Sequence, residues 1–175
     1  MKSPAHVFWL FGLSGAGKST LAGHLTRYLR AEGRSVLALD GDILRAGLCA
    51  GLGFSDSERA ENLRRAAEAA KLGLASDLCV VAAFITPLET HRRLVAGILG
   101  DRVSFIHVSA PLEVCRARDV KGLYAGAKAG HVAQMTGVSS GFEAPTRPDL
   151  VVHTDLENVA SSAGHLLDYA RLTRS

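Results

Sequence analysis

The sequence predicts an α/β fold in one domain spanning residues 1–175: a parallel sheet with helices on both faces and a glycine-rich lid. Three observations carry this prediction. The runs His6 to Phe11 and Leu78 to Ile85 are continuously apolar rather than alternating, as in strands buried on both faces. Such runs alternate with segments of helical spacing, which implies right-handed strand–helix–strand crossovers. Between the first run and the first helical segment lies Gly12-Leu13-Ser14-Gly15-Ala16-Gly17-Lys18-Ser19-Thr20.

That stretch fits the phosphate-binding pattern G-x-x-x-x-G-K-[ST] at every specified position, between a strand and a helix as the pattern requires. Its glycines let the backbone curl. The N–H groups along Gly12, Ser14, Gly15, Ala16, Gly17, Lys18, Ser19 and Thr20 can then meet the phosphates of a nucleoside triphosphate at a helix N-terminus. The Lys18 ammonium reaches the β- and γ-phosphates, and the Ser19 hydroxyl ligates Mg²⁺. The first helix follows, with Leu21, Leu25 and Leu29 at helical spacing. This is the architecture of a single-domain P-loop kinase.

After a turn at Glu32-Gly33-Arg34, Ser35 to Leu39 reads as the second strand and ends in Asp40-Gly41-Asp42. Carboxylates at the C-terminal end of a parallel strand face the crevice where such folds bind ligands. Both aspartates can lean toward one Mg²⁺ or one attacking hydroxyl; the competing reading is a solvated turn. Ser55 to Glu58 is a capping box that opens a helix whose buried stripe is Leu63, Ala67, Ala70 and Leu74. Arg59, Asn62 and Arg65 form a polar row on another face, either solvated or turned toward a ligand.

Leu78 to Ile85 is the candidate central strand, ending at Thr86-Pro87. A helix over Glu89–Leu99, a strand over Val103–Ser109 and a helix over Leu112–Arg118 follow. Residues 119–149 are punctuated by Gly122, Gly126, Gly130, Gly137 and Gly141, with Lys121, Tyr124, Lys128 and Arg147 between them. A connection of this length reads as a lid that closes over the nucleotide and keeps water out. Leu150 to His153 is the last strand, and a helix from about Leu156 to Leu172 closes the domain.

Composition narrows the function classes. A chain with 47% hydrophobic and 21% charged residues reads as a globular domain with its own core. Cys49, Cys79 and Cys115 form no C-x-x-C, so buried free thiols in a reducing cytoplasm are expected rather than a zinc site or a disulfide framework. No run is long enough to span a membrane. The net charge of +3 is dispersed, without the basic stripe a nucleic acid would need. Arginine far outnumbers lysine, which suits planar bidentate contacts to small phosphate- or sulfate-bearing ligands. A homodimer is compatible with the sequence but not specified by it.

From Phe11 to about Leu150 the chain resembles the adenylyl-sulfate kinases. The resemblance rests on the phosphate loop, Leu39-Asp40-Gly41-Asp42, Arg45 with Gly47-Leu48, Leu52-Gly53-Phe54-Ser55, and Arg59-Ala60-Glu61-Asn62 with Arg64-Arg65. Ala83-Phe84-Ile85, Arg118-Asp119, Lys121-Gly122-Leu123-Tyr124, Thr136-Gly137 and Glu143-Ala144-Pro145 extend it. It implies transfer of the ATP γ-phosphoryl group to the 3′-hydroxyl of adenosine 5′-phosphosulfate (APS). By the same resemblance, Asp40 faces the acceptor hydroxyl and Asp42 joins the Mg²⁺ shell. Arg45, Arg59 and Asn62 hold the acceptor's phosphosulfate and adenosine, Phe54 is one aromatic wall, and Ile85 with Lys121-Gly122-Leu123 lines that pocket. Arg118 lies on the ATP adenine. The chain departs from the family's usual residues at Met135 (usually Phe, the second wall), Thr86 (Ser), Val120 (Pro), Arg116 (Glu) and Phe142 (Tyr). These departures keep open a kinase of the same fold acting on another nucleotide or small anionic alcohol.

Overall fold

Val7–Phe11 (β1) sits at the centre of the sheet because every side chain in it is apolar and all five residues are buried. The computed structural model describes residues 4–119, 122, 136 and 141–173. Val36–Asp40 (β2), Cys79–Phe84 (β3), Val103–Ser109 (β4) and Leu150–His153 (β5) complete a five-stranded sheet in the order β2-β3-β1-β4-β5, parallel throughout. Val7 stands opposite Val80 on one side and Val103 on the other.

The period of two along β1 divides the core. Val7, Trp9 and Phe11 pack with residues of Asp56–Ala75 (α3) and Glu89–Leu99 (α4). Phe8 and Leu10 pack with Lys18–Ala31 (α1), Leu112–Arg118 (α5) and Val159–Leu172 (α6). The crossovers from β1 to β2 and from β3 to β4 run in opposite directions across the sheet, so a crevice opens at the strands' C-terminal ends. The sequence-predicted strands and the helices over Glu89–Leu99 and Leu112–Arg118 lie within one residue of their predicted bounds. The three cysteines are free and buried. Among the described residues, no helix is long and apolar enough to cross a membrane.

Two elements differ from the sequence reading. Gly41–Ala46 forms a short helix (α2) that the Asp40-Gly41-Asp42 triplet begins, with the Asp40 side chain accepting from the Asp42 N–H at the N-cap. The last helix starts at Val159 rather than near Leu156. Asn158 caps it by accepting from the Ser161 N–H at 2.9 Å, which leaves Leu156 76% exposed in the turn before it. Of the expected lid, Lys121, Leu123, Met135 and Val120 lie outside the described residues, whereas Gly122, Thr136 and 141–149 are described.

Candidate active site

The phosphate loop leaves β1 where two strands crowd it. The Gly12 N–H donates to the Ile85 carbonyl at 3.2 Å, and a Cβ on Gly12, at φ 152, would collide with the Val108 carbonyl oxygen. Only glycine passes there. Within the loop the Ala16 N–H donates to the Leu13 carbonyl at 3.2 Å, and the Lys18 ammonium donates to the same oxygen at 2.7 Å. Gly17 caps α1 without a side-chain acceptor, so the helix begins with its positive end turned to the crevice.

Asp40, the last residue of β2, is brought to this loop. The Ser19 hydroxyl donates to Asp40 Oδ2 at 2.8 Å, while Oδ1 accepts from the Asp42 N–H at 3.0 Å. Asp42, one residue into α2, lines the same cavity. Two carboxylates and a hydroxyl thus face the phosphate loop, an oxygen set suited to a hard cation that keeps phosphate and water ligands. Among the described residues there is no cluster of three or more His, Cys, Asp or Glu side chains that would make an all-protein cage.

The opposite wall is built from side chains. Arg45 Nη1 donates to the Leu52 and Gly53 carbonyls at 3.1 and 2.9 Å, and its guanidinium lies 4.2 Å from the Phe54 ring centroid. Arg59 Nε donates to the Phe54 carbonyl at 2.8 Å, and its Nη1 to the Thr136 hydroxyl at 2.8 Å. Phe54 itself is half exposed to the cavity. Burial lowers the pKa of both arginines, and the nearby Arg45 charge lowers that of Arg59 further. Asn62 is buried, lines the cavity, and its side-chain nitrogen has no hydrogen-bond partner among the described residues. The predicted polar row therefore splits. Arg59 and Asn62 turn inward, while Arg65 pairs with Glu61 at 2.9 Å and with the Leu48 carbonyl at 2.9 Å.

Glu58 latches the loop that carries Phe54. It accepts from the Gly53 N–H at 2.9 Å, the Ser55 N–H at 3.1 Å and the Ser55 hydroxyl at 2.5 Å. The Ser55 hydroxyl, then the two backbone donors, hold its carboxyl below the usual range. Gly53 leaves room for this carboxylate, since a Cβ there would stand 2.6 Å from a Glu58 oxygen and push it aside.

Arg92 and His107 carry no motif that would have singled them out, whereas Thr86, Phe142 and Arg118 stand at positions the sequence already marks. Thr86, at φ 45 and buried, accepts from the Trp9 indole N–H at 2.9 Å, and its carbonyl accepts from Arg92 at 3.2 Å. Buried Arg92 also pairs with Glu89 at 2.9 Å and donates to the Glu143 carbonyl at 3.1 Å, tying the strand end to the last part of the predicted lid. His107 stacks between Phe11 and Phe142, at 5.2 and 5.8 Å between centroids. Arg118 does not stand alone at the cavity mouth but donates to the Gly15 carbonyl and to Thr154. Lys18, Ser19, Asp40, Asp42, Arg45, Phe54, Arg59, Asn62, Ile85 and Arg118 all border one cavity of about 700 Å³. Gly122 is not among its lining residues.

The chain is similar to known proteins over nearly its whole length. A family model described as Adenylylsulphate kinase matches residues 4–153. An adenylyl-sulfate kinase of Paraburkholderia xenovorans (strain LB400) is 47% identical over 171 residues, covering 95% of this chain and 96% of that one. The Mycobacterium tuberculosis APS kinase CysC, solved in complex with AMPPNP and APS, superposes with a TM-score of 0.92 at 38% identity, over 97% of this chain and 99% of that one. A hexameric APS kinase from Thiobacillus denitrificans superposes with a TM-score of 0.72 at 26% identity, over 97% of this chain and 29% of that one.

Proposed function

The chain belongs to the adenylyl-sulfate kinase family, and from that premise we infer how its cavity works. It transfers the γ-phosphoryl group of ATP to the 3′-hydroxyl of APS, giving 3′-phosphoadenosine 5′-phosphosulfate and ADP. The observation that carries the residue assignment is the one cavity that joins the phosphate loop, through the Ser19–Asp40 contact, to Arg45, Arg59 and the Asn62 side-chain nitrogen, which has no partner among the described residues.

Phosphoryl transfer asks a protein for alignment and charge neutralisation more than for covalent chemistry. The N–H groups of Gly15 to Thr20 hold the phosphates, and Lys18 moves from the Leu13 carbonyl onto the β- and γ-phosphates. Asp40 accepts a hydrogen bond from the 3′-hydroxyl and receives its proton as the P–O bond forms. Ser19 and Asp42 would hold Mg²⁺, which when bound draws charge from the β- and γ-phosphate oxygens. Arg45 and Arg59 bind the phosphosulfate, a ligand whose two anionic groups account for two desolvated guanidinium groups on one wall. Asn62 donates its side-chain N–H to the acceptor, and the adenine lies on the Phe54 face turned to the cavity.

An acceptor screen at fixed ATP and Mg²⁺ tests this, with ADP release as the readout. APS is expected to give the highest kcat/KM among adenosine 5′-phosphosulfate, adenosine monophosphates, gluconate and other small anionic alcohols. A better acceptor than APS would overturn the assignment.

A further inference from the structure

Thr154 lies just past β5 and belongs to none of the motifs, yet it meets the phosphate loop directly. Its N–H donates to the Ser109 carbonyl at 3.0 Å, continuing the ladder between β4 and β5. Its Oγ1 is 2.8 Å from the Ala16 carbonyl and 3.4 Å from that of Ser109. A hydroxyl has one proton to donate, and the shorter contact takes it. Arg118 Nη1 donates to the same Oγ1 at 3.1 Å and to the Gly15 carbonyl at 3.3 Å, while Nη2 donates to the Thr154 carbonyl at 2.6 Å. The hydroxyl therefore accepts from a guanidinium and donates to a loop carbonyl, and accepting from a cation strengthens the donation.

The consequence is directional. A trans peptide is planar, so the Ala16 C=O and the Gly17 N–H point opposite ways. Holding that carbonyl toward Thr154 fixes the Gly17 N–H on the opposite side of the peptide, in a loop where Gly17 and Thr154 both border the cavity. Gly17 sits at φ 99, a conformation with no side chain to lock it, and the Thr154 methyl lies 3.7 Å from where a Cβ would be. We propose that Thr154 is a positioning residue that aims the Gly17 amide at the phosphates of the donor nucleotide, with Arg118 polarising its hydroxyl. The proposal rests on the reading that the loop holds ATP.

Calorimetric titration with Mg²⁺–AMPPNP and, separately, with APS tests it. Thr154→Val keeps the shape but removes the hydroxyl, and should weaken AMPPNP about tenfold, the scale of one hydrogen bond whose partner is left unmatched, with APS affinity unchanged. Thr154→Ser should restore AMPPNP binding. Thr154→Ala should repeat the loss if the valine variant does not fold. Equal weakening of both ligands, a serine variant as weak as the valine, or a hydroxyl-free variant at wild-type affinity would each overturn the pin. Wild-type protein that binds APS but no AMPPNP would overturn the donor reading beneath it, a result distinct from these.

Discussion

The two halves of the cavity are made of different material. The donor half is backbone: one contiguous loop whose shape depends on glycines, such as Gly12 against the Val108 carbonyl, and on peptide groups held by Thr154 and Arg118. The acceptor half is side chain, assembled from α2, the loop at 52–55, α3 and the end of β3. Backbone cannot be substituted, so the donor half has little room to vary. Side chains can be exchanged one at a time, so selectivity for the acceptor can shift while the fold and the phosphate chemistry persist. The chain's departures from the family's usual residues (Met135, Thr86, Val120, Arg116 and Phe142) all fall outside the phosphate loop. Met135 is the one expected to touch the acceptor base directly.

The largest effects should come where the halves meet. Lys18→Ala removes the cation that neutralises developing charge and should cost about 10²–10³-fold or more in kcat. Asp40→Ala removes the group facing the acceptor hydroxyl and should cost about 10²–10⁴-fold. The two differ in what remains: Lys18→Ala also loses background ATP hydrolysis, whereas Asp40→Ala retains it. Near-normal phosphorylation of APS by Asp40→Ala would erase the division of labour between the halves.

A smaller effect isolates the acceptor half. Phe54→Ala should raise the KM for APS by about 5- to 150-fold, the equivalent of roughly 1–3 kcal/mol of base stacking, and leave the KM for ATP nearly unchanged. The removal also strips Arg45 of the ring it lies on, so part of the effect is a looser guanidinium. A matching rise in the KM for ATP would show that the two walls are one unit.

How much of this was legible in the sequence follows the same division. The donor loop could be read outright, because phosphate binding by backbone forces a contiguous spacing of glycines, Lys18 and Ser19. The strands could be read because burial on both faces leaves no polar position in β1 or β3. For Arg59 and Asn62 the helical spacing alone gives a polar row, either solvated or turned toward a ligand, and only the family resemblance sets them at the acceptor; which way the row faces depends on how α3 lies across the sheet, a tertiary fact. Thr154 and Arg92 were not legible at all. Each acts on residues at least 50 positions away along part of its contacts, Arg92 on Glu143 and Thr154 on Ala16, and neither sits at a diagnostic spacing. Short α2 was missed because the triplet that caps it reads first as a strand end with two carboxylates.

Gly53→Ala probes how the acceptor wall is held rather than what it touches. The new methyl would stand against the Glu58 carboxylate, which must swing out of its bonds to the Gly53 and Ser55 N–H groups. The loop bearing Phe54 should loosen, with kcat/KM for APS falling about tenfold, as misplacement of a positioning group commonly costs, and AMPPNP affinity unaffected. Glu58→Ala in the same background should add little, because the latch is already open. Additive losses would mean that Gly53 and Glu58 act separately.

The smallest expected effect concerns a ring stack in the core rather than the cavity wall. His107 is stacked between Phe11, which leads into the phosphate loop, and Phe142, which lies in the last part of the predicted lid. Burial first, then the charges of Arg92 and His153, lowers its pKa to about 4. A histidine whose folded pKa lies below its unfolded value binds fewer protons when folded, so its contribution is fully present above about pH 6.5 and is lost as pH falls toward 4. His6 and His91, also lowered chiefly by burial, act in the same direction, whereas the depressed carboxylates of Glu58 and Glu61 lose their contribution only below the ordinary carboxylate range. Thermal melts should therefore show the melting temperature dropping between about pH 6.5 and 4.5, with His107→Phe removing about 2–4 °C of that drop and changing little at pH 7.5. Because Phe11 leads into the phosphate loop and Phe142 lies in the predicted lid, acid should raise the KM for ATP and for APS together. An acid effect on APS alone would place His107 with the acceptor wall instead of with both, and an unchanged acid slope in His107→Phe would leave the drop to the other two histidines.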